Sequence, residues 1–350
     1  MTKKKVGIQL PKQAQNQTVE ERWSLELEAL APIADIIEIR ADTPQEFADG
    51  VRGMDAIITS WGLRIDKQVI DALEQAVCIG VGSVGVDMVD IEAATSAGLV
   101  VTNVPDVFIE EVADHAMALL LDMARLTPTM VRMAREGDWY QARPILSRIP
   151  RLFGQTLGLF GFGNVSHCTA RRAKAFGLNV IAHDPYVSEL EITKEGVEPV
   201  GFSELLERSD YLSIHTPHNE ETEHAFGSEA FAQMKETACL INTARGPIVD
   251  ELALIEALRA GQIAGAGLDV LEQEPPEADN PLLQMDNVVV TPHVASATTR
   301  MRPETRRRVG REVALVLRGR WPMSCVNPTV LPKVTLDRWQ PYPMNRGPNR

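Results

Sequence analysis

Cysteine, aromatic side chains and positive charge are all scarce in this sequence. The chain of 350 residues contains 4 cysteines, its aromatic content is 5%, and its formal net charge at pH 7 is -13. The cysteines are scattered, without a CxxC pair or a zinc-like spacing to histidine, so neither a disulfide framework nor a bound metal is indicated. A chain with this negative charge repels polyphosphate backbones and anionic lipid surfaces. Nucleic acids and membranes are therefore poor candidate partners.

Long hydrophobic runs are also missing. No apolar stretch approaches the length that crosses a bilayer, and the lysines near the N-terminus have no apolar segment behind them. We therefore expect a soluble, cytoplasmic protein. A chain of this length can bury two ordinary cores, so two domains are the default expectation.

What the sequence does contain is a regular alternation of short β-rich runs with helical patterns. The predicted strands form a first series over residues 6–10, 34–40, 56–60, 78–81 and 99–103, and a second over 156–161, 179–183, 211–216, 239–243, 265–270 and 288–291. Short apolar strands that alternate with helices indicate parallel sheets buried on both faces. The sequence therefore predicts an α/β fold with two Rossmann-like, doubly wound parallel-sheet domains and a cleft between them.

A glycine-rich turn between a predicted strand and a predicted helix, at residues 156–166, indicates a dinucleotide site. Gly161 allows a tight turn, Gly163 lets the backbone approach a pyrophosphate, and the following helix offers its N-terminal amides to that anion. Such patterns also arise by chance in glycine-rich turns, and Ser166 replaces the third glycine of the pattern. The prediction of a dinucleotide site therefore needs a second signal besides the turn.

Asp184 provides that second signal at the end of the next predicted strand, about 20 residues after the glycines. A carboxylate there accepts hydrogen bonds from the adenosine ribose and repels a 2'-phosphate, and residues 185–187 offer no cation. NAD is therefore favoured over NADP. Alternatively, Asp184 could merely open a turn before Pro185.

Three predicted strands of the second series end beside a polar residue, where ligands bind in open α/β sheets. These residues are Arg245, Glu274 and His293. A guanidinium grips a carboxylate through two parallel hydrogen bonds, a histidine hands a proton to a keto oxygen, and a glutamate stabilises the protonated imidazole. Singly, Arg245 could cap a helix, Glu274 could be a solvated loop charge, and His293 could be a satisfied core residue. Their order after the glycine turn and Asp184 favours an active site.

Further segments carry a resemblance to a known family. They are Gly85-Val-Asp87, Glu111-Val-Ala-Asp-His115-Ala-Met-Ala-Leu, Gly154-Gln-Thr-Leu-Gly-Leu, His215-Thr-Pro217 and the three segments around Arg245, Glu274 and His293. With these motifs in this order over residues 57–327, the sequence resembles the D-isomer-specific 2-hydroxyacid dehydrogenase family.

The resemblance implies a role for each of these residues. His293 would be the catalytic acid and base, Glu274 its partner, and Arg245 the ligand of the substrate carboxylate. Asp269 would lie near the nicotinamide. The cofactor NAD would also be lined by Gly161, Gly163, Asn164, Val165, Asp184, His215, Thr216, Pro217, Thr243 and Ala244, and the substrate by Ser83, Val84 and Gly85.

The resemblance also implies domain boundaries and a homodimer. Residues 1–104 and 302–331 would form a flavodoxin-like substrate-binding domain, residues 105–301 the NAD-binding Rossmann domain, and residues 332–350 a C-terminal tail. An arm around Asp138 and Trp139 would join two copies of the chain.

Departures from the family pattern bear on the substrate. Val81 and Ser83 stand where many members have arginine and glycine, and Asp106 stands where many have glycine. The missing cation favours a small 2-keto acid of the glyoxylate or hydroxypyruvate type, with a phosphoglycerate dehydrogenase-like enzyme as the alternative. Trp61 either borders the substrate or is ordinary packing. His218, where the family usually has an apolar residue, is interpreted as a surface loop histidine.

A different class of protein could share this fold and these three residues. The region 172–274 also resembles the C-terminal binding proteins, corepressors that sense NAD(H). The acidic charge and the absence of long flanking segments favour a metabolic enzyme. Formate or phosphite oxidation is disfavoured because glutamine does not replace Glu274.

Overall fold

The computed structural model describes residues 3–15, 17–59, 62–140 and 143–339. The chain forms two compact units: Met1–Val107 together with Thr298–Arg350, and Phe108–Ala297. The boundaries implied by the family resemblance, after residues 104 and 301, differ from these by a few residues.

Strands and helices alternate along most of the chain. In chain order the strands are β1 (Lys4–Leu10), β2 (Ala34–Arg40), β3 (Ala56–Thr59), β4 (Cys78–Val81), β5 (Val100–Thr102), β6 (Thr156–Phe160), β7 (Asn179–His183), β8 (Glu198–Pro199), β9 (Tyr211–Ile214), β10 (Cys239–Asn242), β11 (Gly265–Leu268) and β12 (Val288–Val290). The α-helices are α1 (Val19–Arg22), α2 (Ser24–Leu30), α3 (Pro44–Gly50), α4 (Lys67–Ala72), α5 (Ile91–Ser96), α6 (Ile109–Arg125), α7 (Thr127–Glu136), α8 (Asn164–Ala175), α9 (Glu189–Lys194), α10 (Phe202–Arg208), α11 (Ser228–Gln233), α12 (Glu251–Ala260) and α13 (Met301–Leu317). Short 3-10 helices cover Arg143–Arg148, Gly246–Ile248, Pro281–Gln284 and Pro328–Lys333.

Both sheets are parallel throughout. The strand order is β2-β1-β3-β4-β5 in the first unit and β12-β11-β10-β9-β6-β7-β8 in the second. In each sheet the chain starts away from the edges and winds outward in both directions, which is the doubly wound arrangement. The predicted α/β class with two such sheets is confirmed.

Side chains that alternate along each strand cover both faces of its sheet. On β3, Ile57 belongs to the cluster beneath α3 and α4, whereas Ile58 belongs to the opposite cluster with Val313 of α13. On β10, Leu240 and Ile241 divide in the same way between the two clusters of the second unit. Burial of each such side chain contributes roughly 1.5–3 kcal/mol, and the strands share each core with side chains of the covering helices.

Several strands end earlier than their apolar patterns predict. β6 ends at Phe160, β9 at Ile214, β10 at Asn242 and β11 at Leu268. The next residues, which are Gly161, His215, Thr243 and Asp269, leave the ladder to form loops. At residue 161 the backbone turns with a φ of 92°, which a glycine adopts without strain.

The start of the C-terminal tail packs on the first unit. The backbone N–H of Trp321 donates to Asp337 O at 2.9 Å, and that of Asp337 donates to Gly319 O at 2.7 Å. The indole N–H of Trp339 then donates to Trp321 O at 2.9 Å. The tail is therefore fixed as far as Trp339, while Tyr342 lies outside the described residues.

Within the described ranges, no helix is both long and apolar enough to cross a bilayer. The same part of the chain brings together no group of three or more His, Cys, Asp or Glu side chains that could hold a metal ion.

Candidate active site

The turn between β6 and α8 is built around two glycines with different constraints. At Gly161, with its positive φ, an added Cβ would lie 2.9 Å from His215 O and 3.0 Å from Thr216 N, so the backbone of the β9 loop excludes a side chain there. At Gly163 an added Cβ would meet nothing within 4 Å. Ser166 is fully buried, and its hydroxyl donates to Gly161 O at 2.6 Å. A hydrogen bond thus ties the first turn of α8 to the glycine turn where the pattern has a third glycine.

The N-terminus of α8 is suited to an anion. Gly163 is its N-cap and provides no side-chain hydrogen bond, so the amides of the first turn, including those of Asn164 and Val165, are not capped by that residue. These amides and the helix dipole favour the binding of a pyrophosphate in the open space beside Gly163. Thr243, beyond the end of β10, has a buried hydroxyl oxygen without a hydrogen-bond partner among the described residues. Both features fit a bound dinucleotide.

Asp184 is oriented toward the glycine turn. Its Oδ2 accepts from Phe162 N at 2.8 Å, and its Oδ1 accepts from Tyr186 N at 2.9 Å. The second bond opens the turn after β7, so the interpretation as a turn residue holds. The first bond places the carboxylate beside the glycine turn, and the carboxylate has further lone pairs that can accept from ribose hydroxyls. The two interpretations of Asp184 are therefore compatible.

The loop after β9 borders the same turn. Burial lowers the pKa of His215 to about 4, so its imidazole is neutral at physiological pH, and the ring contacts Ser213 Oγ at 2.9 Å. The hydroxyl of Thr222 donates to Pro217 O at 2.8 Å and fixes the loop that follows Thr216. His218 is partly buried rather than a surface histidine, because its Nε2 is inaccessible and has no hydrogen-bond partner in the described residues.

The loop that carries Arg245 is shaped by Asn242, which the sequence interpretation did not single out. The buried Asn242 side chain accepts from Ala244 N at 3.0 Å and donates to Arg245 O at 2.9 Å. Arg245 itself donates from a guanidinium nitrogen to Ala244 O at 2.7 Å. An added Cβ at Gly246 would lie 1.8 Å from Leu271 O. Only a glycine therefore permits this approach between the Arg245 loop and the loop after β11.

His293 and Glu274 are brought together from two loops. His293 Nδ1 lies 2.6 Å from Glu274 Oε2, and the other carboxylate oxygen accepts from Leu271 N at 3.1 Å. The two side chains are only partly exposed, at 30% for the histidine and 34% for the glutamate. With Nδ1–H donated to the carboxylate, proton exchange with a ligand falls to Nε2 of the histidine.

Asp269 is a buried charge that organises the loop after β12. It is 1% exposed, and its carboxylate accepts from the backbone of Val294 at 2.9 Å and of Ala295 at 2.8 Å. Burial raises the pKa of the Asp269 carboxyl, but hydrogen bonds from His115, Thr291 and these two amides together hold it below its ordinary value. Asp269 is therefore ionised, and its carboxylate holds the backbone of the loop after β12.

The predicted substrate loop lies in the first unit, after β4. The hydroxyl of Ser83 donates to Gly85 O at 2.7 Å, and the amide of Asn103 donates to Val84 O at 2.7 Å. Val104 N also donates to Ser83 O at 3.0 Å. These bonds occupy the carbonyls of the loop. Trp61, the other candidate at the substrate, lies outside the described residues.

Residues 117–295 match the model of the D-isomer specific 2-hydroxyacid dehydrogenase, NAD binding domain. The chain belongs to the D-isomer specific 2-hydroxyacid dehydrogenase family. It is 42% identical over 283 residues to a glyoxylate reductase of Korarchaeum cryptofilum, a match that covers 80% of this chain and 85% of that protein. The family is one of oxidoreductases with an NAD-binding domain, in agreement with the glycine turn and Asp184.

Other members of the 2-hydroxyacid dehydrogenase family differ in length and cofactor. The chain is 38% identical over 301 residues to a D-3-phosphoglycerate dehydrogenase of Methanocaldococcus jannaschii, a match that covers 86% of this chain but only 57% of that protein. Among solved structures, an NADPH-dependent glyoxylate/hydroxypyruvate reductase from Sinorhizobium meliloti, in complex with NADP and malonate, matches with a TM-score of 0.78 at 31% identity. That match covers 94% of this chain and 98% of the solved one.

Proposed function

We propose that this chain is an NAD-dependent D-2-hydroxyacid dehydrogenase that interconverts a small 2-keto acid and its D-2-hydroxy acid. The observation that carries the proposal is the 2.6 Å hydrogen bond between His293 Nδ1 and Glu274 Oε2, on loops that follow adjacent strands of the sheet. The Arg245 loop touches the Glu274 loop through Gly246. His293, Glu274 and Arg245 therefore lie on neighbouring loops of one unit, which supports the roles proposed for them.

Each residue has a defined task in this reaction. Bound NADH would supply a hydride to the keto carbon. Arg245 would hold the substrate carboxylate through two parallel hydrogen bonds. Protonated His293 would donate its Nε2 proton to the keto oxygen during reduction, and its neutral form would take that proton back during oxidation. Glu274 would stabilise the positive charge on the imidazole and keep the ring oriented.

The position of Asp184 supports NAD rather than NADP. Its carboxylate beside the glycine turn would repel a 2'-phosphate, and residues 185–187 include no cation to bind one. Because one structural relative is NADPH-dependent, the test is a direct comparison of kcat/KM with NADH and with NADPH. We expect a preference for NADH of more than ~10-fold, which Asp184→Ala should reduce. Equal use of both coenzymes by the wild type would contradict this assignment.

The substrate class favoured is a short, unphosphorylated 2-keto acid. Val81 and Ser83 stand where many family members have arginine and glycine, so this chain lacks a cation that could bind a phosphate group. The Arg308 guanidinium forms an ion pair with Asp106 at 3.4 Å. The test is turnover of NADH with glyoxylate, hydroxypyruvate, pyruvate and longer 2-keto acids, alongside oxidation of D-3-phosphoglycerate with NAD. We expect the highest kcat/KM with glyoxylate or hydroxypyruvate. A higher value with phosphoglycerate would favour the phosphoglycerate dehydrogenase alternative.

The same experiment separates an enzyme from a binding protein that senses NAD(H). A protein of the C-terminal binding protein type would bind NADH but would leave every keto acid of the panel unreduced. The hydrogen-bonded pair of His293 and Glu274 is compatible with both classes, so the turnover measurement separates them.

We also infer a cytoplasmic homodimer. Trp139 and Tyr140 are 71% and 72% exposed, and Phe153 nearby in sequence is 64% exposed, which is unusual for side chains of this size. Sedimentation should show a dimer that Trp139→Asp weakens, and a monomeric wild type would contradict the inference. Cell fractionation should place the protein in the cytoplasm, where the free thiols of Cys78 and Cys239 stay reduced.

A further inference from the structure

The backbone around His293 has an unusual conformation that must be held in place. His293 has a φ of 51°, in the left-handed region that non-glycine residues rarely adopt. Its N–H donates to Asp269 O at 2.8 Å, and the next two amides donate to the carboxylate of Asp269. A residue in this region persists only where its surroundings determine it. The orientation of the His293 ring therefore depends on how firmly Asp269 is fixed.

Asp269 is fixed from the other side by two side chains. The hydroxyl of Thr291 donates to Asp269 Oδ1 at 2.5 Å. His115, which projects from α6 and lies 176 residues away in sequence, places its Nε2 at 2.9 Å from Thr291 Oγ1. The same Nε2 lies 3.4 Å from Asp269 Oδ1. His115 thus reaches both members of the pair that holds the His293 loop.

The hydrogen-bond inventory determines which atom carries the proton on His115. Asp269 is an ionised carboxylate and can only accept, so the single hydroxyl proton of Thr291 is committed to it. Thr291 Oγ1 must therefore accept from His115. The Nε2 of His115 consequently carries a proton and acts as the donor in this contact.

We propose that His115 is a positioning residue for the catalytic histidine. Its Nε2–H compensates the buried charge of Asp269 through Thr291, and Asp269 in turn fixes the backbone that aims His293. The proposal rests on the function proposed above. His115 is assigned no contact with the substrate, so its loss should act on turnover through the placement of His293. A misplacement of about 1 Å at a catalytic group is sufficient to lower turnover by up to ~100-fold.

The test compares two variants of His115 whose side chains have similar length. His115→Gln keeps an N–H donor near the position of Nε2, whereas His115→Met fills similar space without a donor. In the protein without coenzyme, hydrogen exchange of the Val294 and Ala295 amides should be at least ~10-fold faster in His115→Met than in wild type or His115→Gln. With NADH and the best keto acid, kcat/KM should fall ~10- to 100-fold in His115→Met only, with KM for NADH unchanged.

Two results would overturn the proposal. His115→Met could leave both the amide exchange and kcat/KM at wild-type values, or His115→Gln could be as impaired as His115→Met, which would remove the donor as the cause. If His115→Met fails to fold, His115→Leu makes the same comparison with His115→Gln, because leucine also fills the space without a donor. A wild type that reduces no keto acid would refute the proposed function, while the exchange result would still decide the role of His115.

Discussion

Gly163→Ala tests the nucleotide site without disturbing the fold. The glycine is the N-cap of α8 with a φ of -86°, which an alanine adopts without strain. An added Cβ meets nothing within 4 Å in the structure. The free energy of unfolding should therefore fall by no more than ~1 kcal/mol, the range for a changed N-cap residue.

In the complex with coenzyme the same methyl group would occupy the space where the pyrophosphate approaches the backbone. Displacing that anion would weaken at least one charge-assisted hydrogen bond from the first turn of α8, each of which contributes ~1.5–3 kcal/mol. The dissociation constant for NADH should therefore rise ~10- to 100-fold. Calorimetric titration with NADH and urea denaturation of the same sample measure the two quantities.

Gly161→Ala is the matched control for this substitution. Its φ of 92° and the His215 carbonyl at 2.9 Å leave no room for a Cβ, so this variant should lose ~1–3 kcal/mol of stability even without coenzyme. Tight binding of NADH by Gly163→Ala, equal to that of the wild type, would contradict a pyrophosphate site at this glycine. A loss of stability in Gly163→Ala as large as that in Gly161→Ala would contradict it equally.

Two further substitutions test the remaining loops. Arg245→Lys should raise KM for the keto acid and lower kcat/KM ~10- to 100-fold, because one ammonium cannot reproduce the planar two-bond grip; steady-state kinetics with an unchanged kcat/KM would remove Arg245 from the site. The hydrogen bond that His224 Nε2 donates to Glu272 Oε1 at 2.8 Å raises the pKa of His224 above its ordinary value. This pair therefore stabilises the folded chain below the pKa of an unfolded histidine, and the effect is lost as pH rises through the folded pKa. His224→Gln should therefore lower the free energy of unfolding at pH 6 by less than ~1 kcal/mol and have no effect at pH 9, and an equal loss at both pH values in urea denaturation would contradict the charge-based explanation.

The sequence was sufficient for the parallel sheets because apolar strands have a local signature. Apolar runs of strand length marked β2, β4 and β7 at the bounds that the structure has. Gly161 and Asp184 follow their strands at a fixed spacing, and strand ends are where parallel sheets bind ligands.

The supporting residues could not be found in this way, because their partners are distant in sequence or lie in the backbone. His115 lies within an apolar helix and meets Thr291 only after the chain has folded. Asn242 looks like the last residue of a buried strand, and its role depends on two backbone groups of the following loop. The predicted strands ran one or two residues past 160, 214, 242 and 268, because the point where a strand leaves the sheet depends on hydrogen bonds between strands that are distant in sequence.

The central claim is that His293 supplies the proton for keto reduction while Glu274 stabilises its charged form. The most direct test is kcat/KM for the best keto acid, measured with NADH for wild type, Glu274→Gln and His293→Ala. His293→Ala removes the proton donor and should lower kcat/KM by ~10²- to 10⁴-fold. Glu274→Gln keeps the shape and hydrogen bonding of the partner but removes its charge, so kcat/KM should fall, though by less than in His293→Ala. A Glu274→Gln variant with the kcat/KM of the wild type, or a His293→Ala variant with an unchanged kcat/KM, would contradict the account.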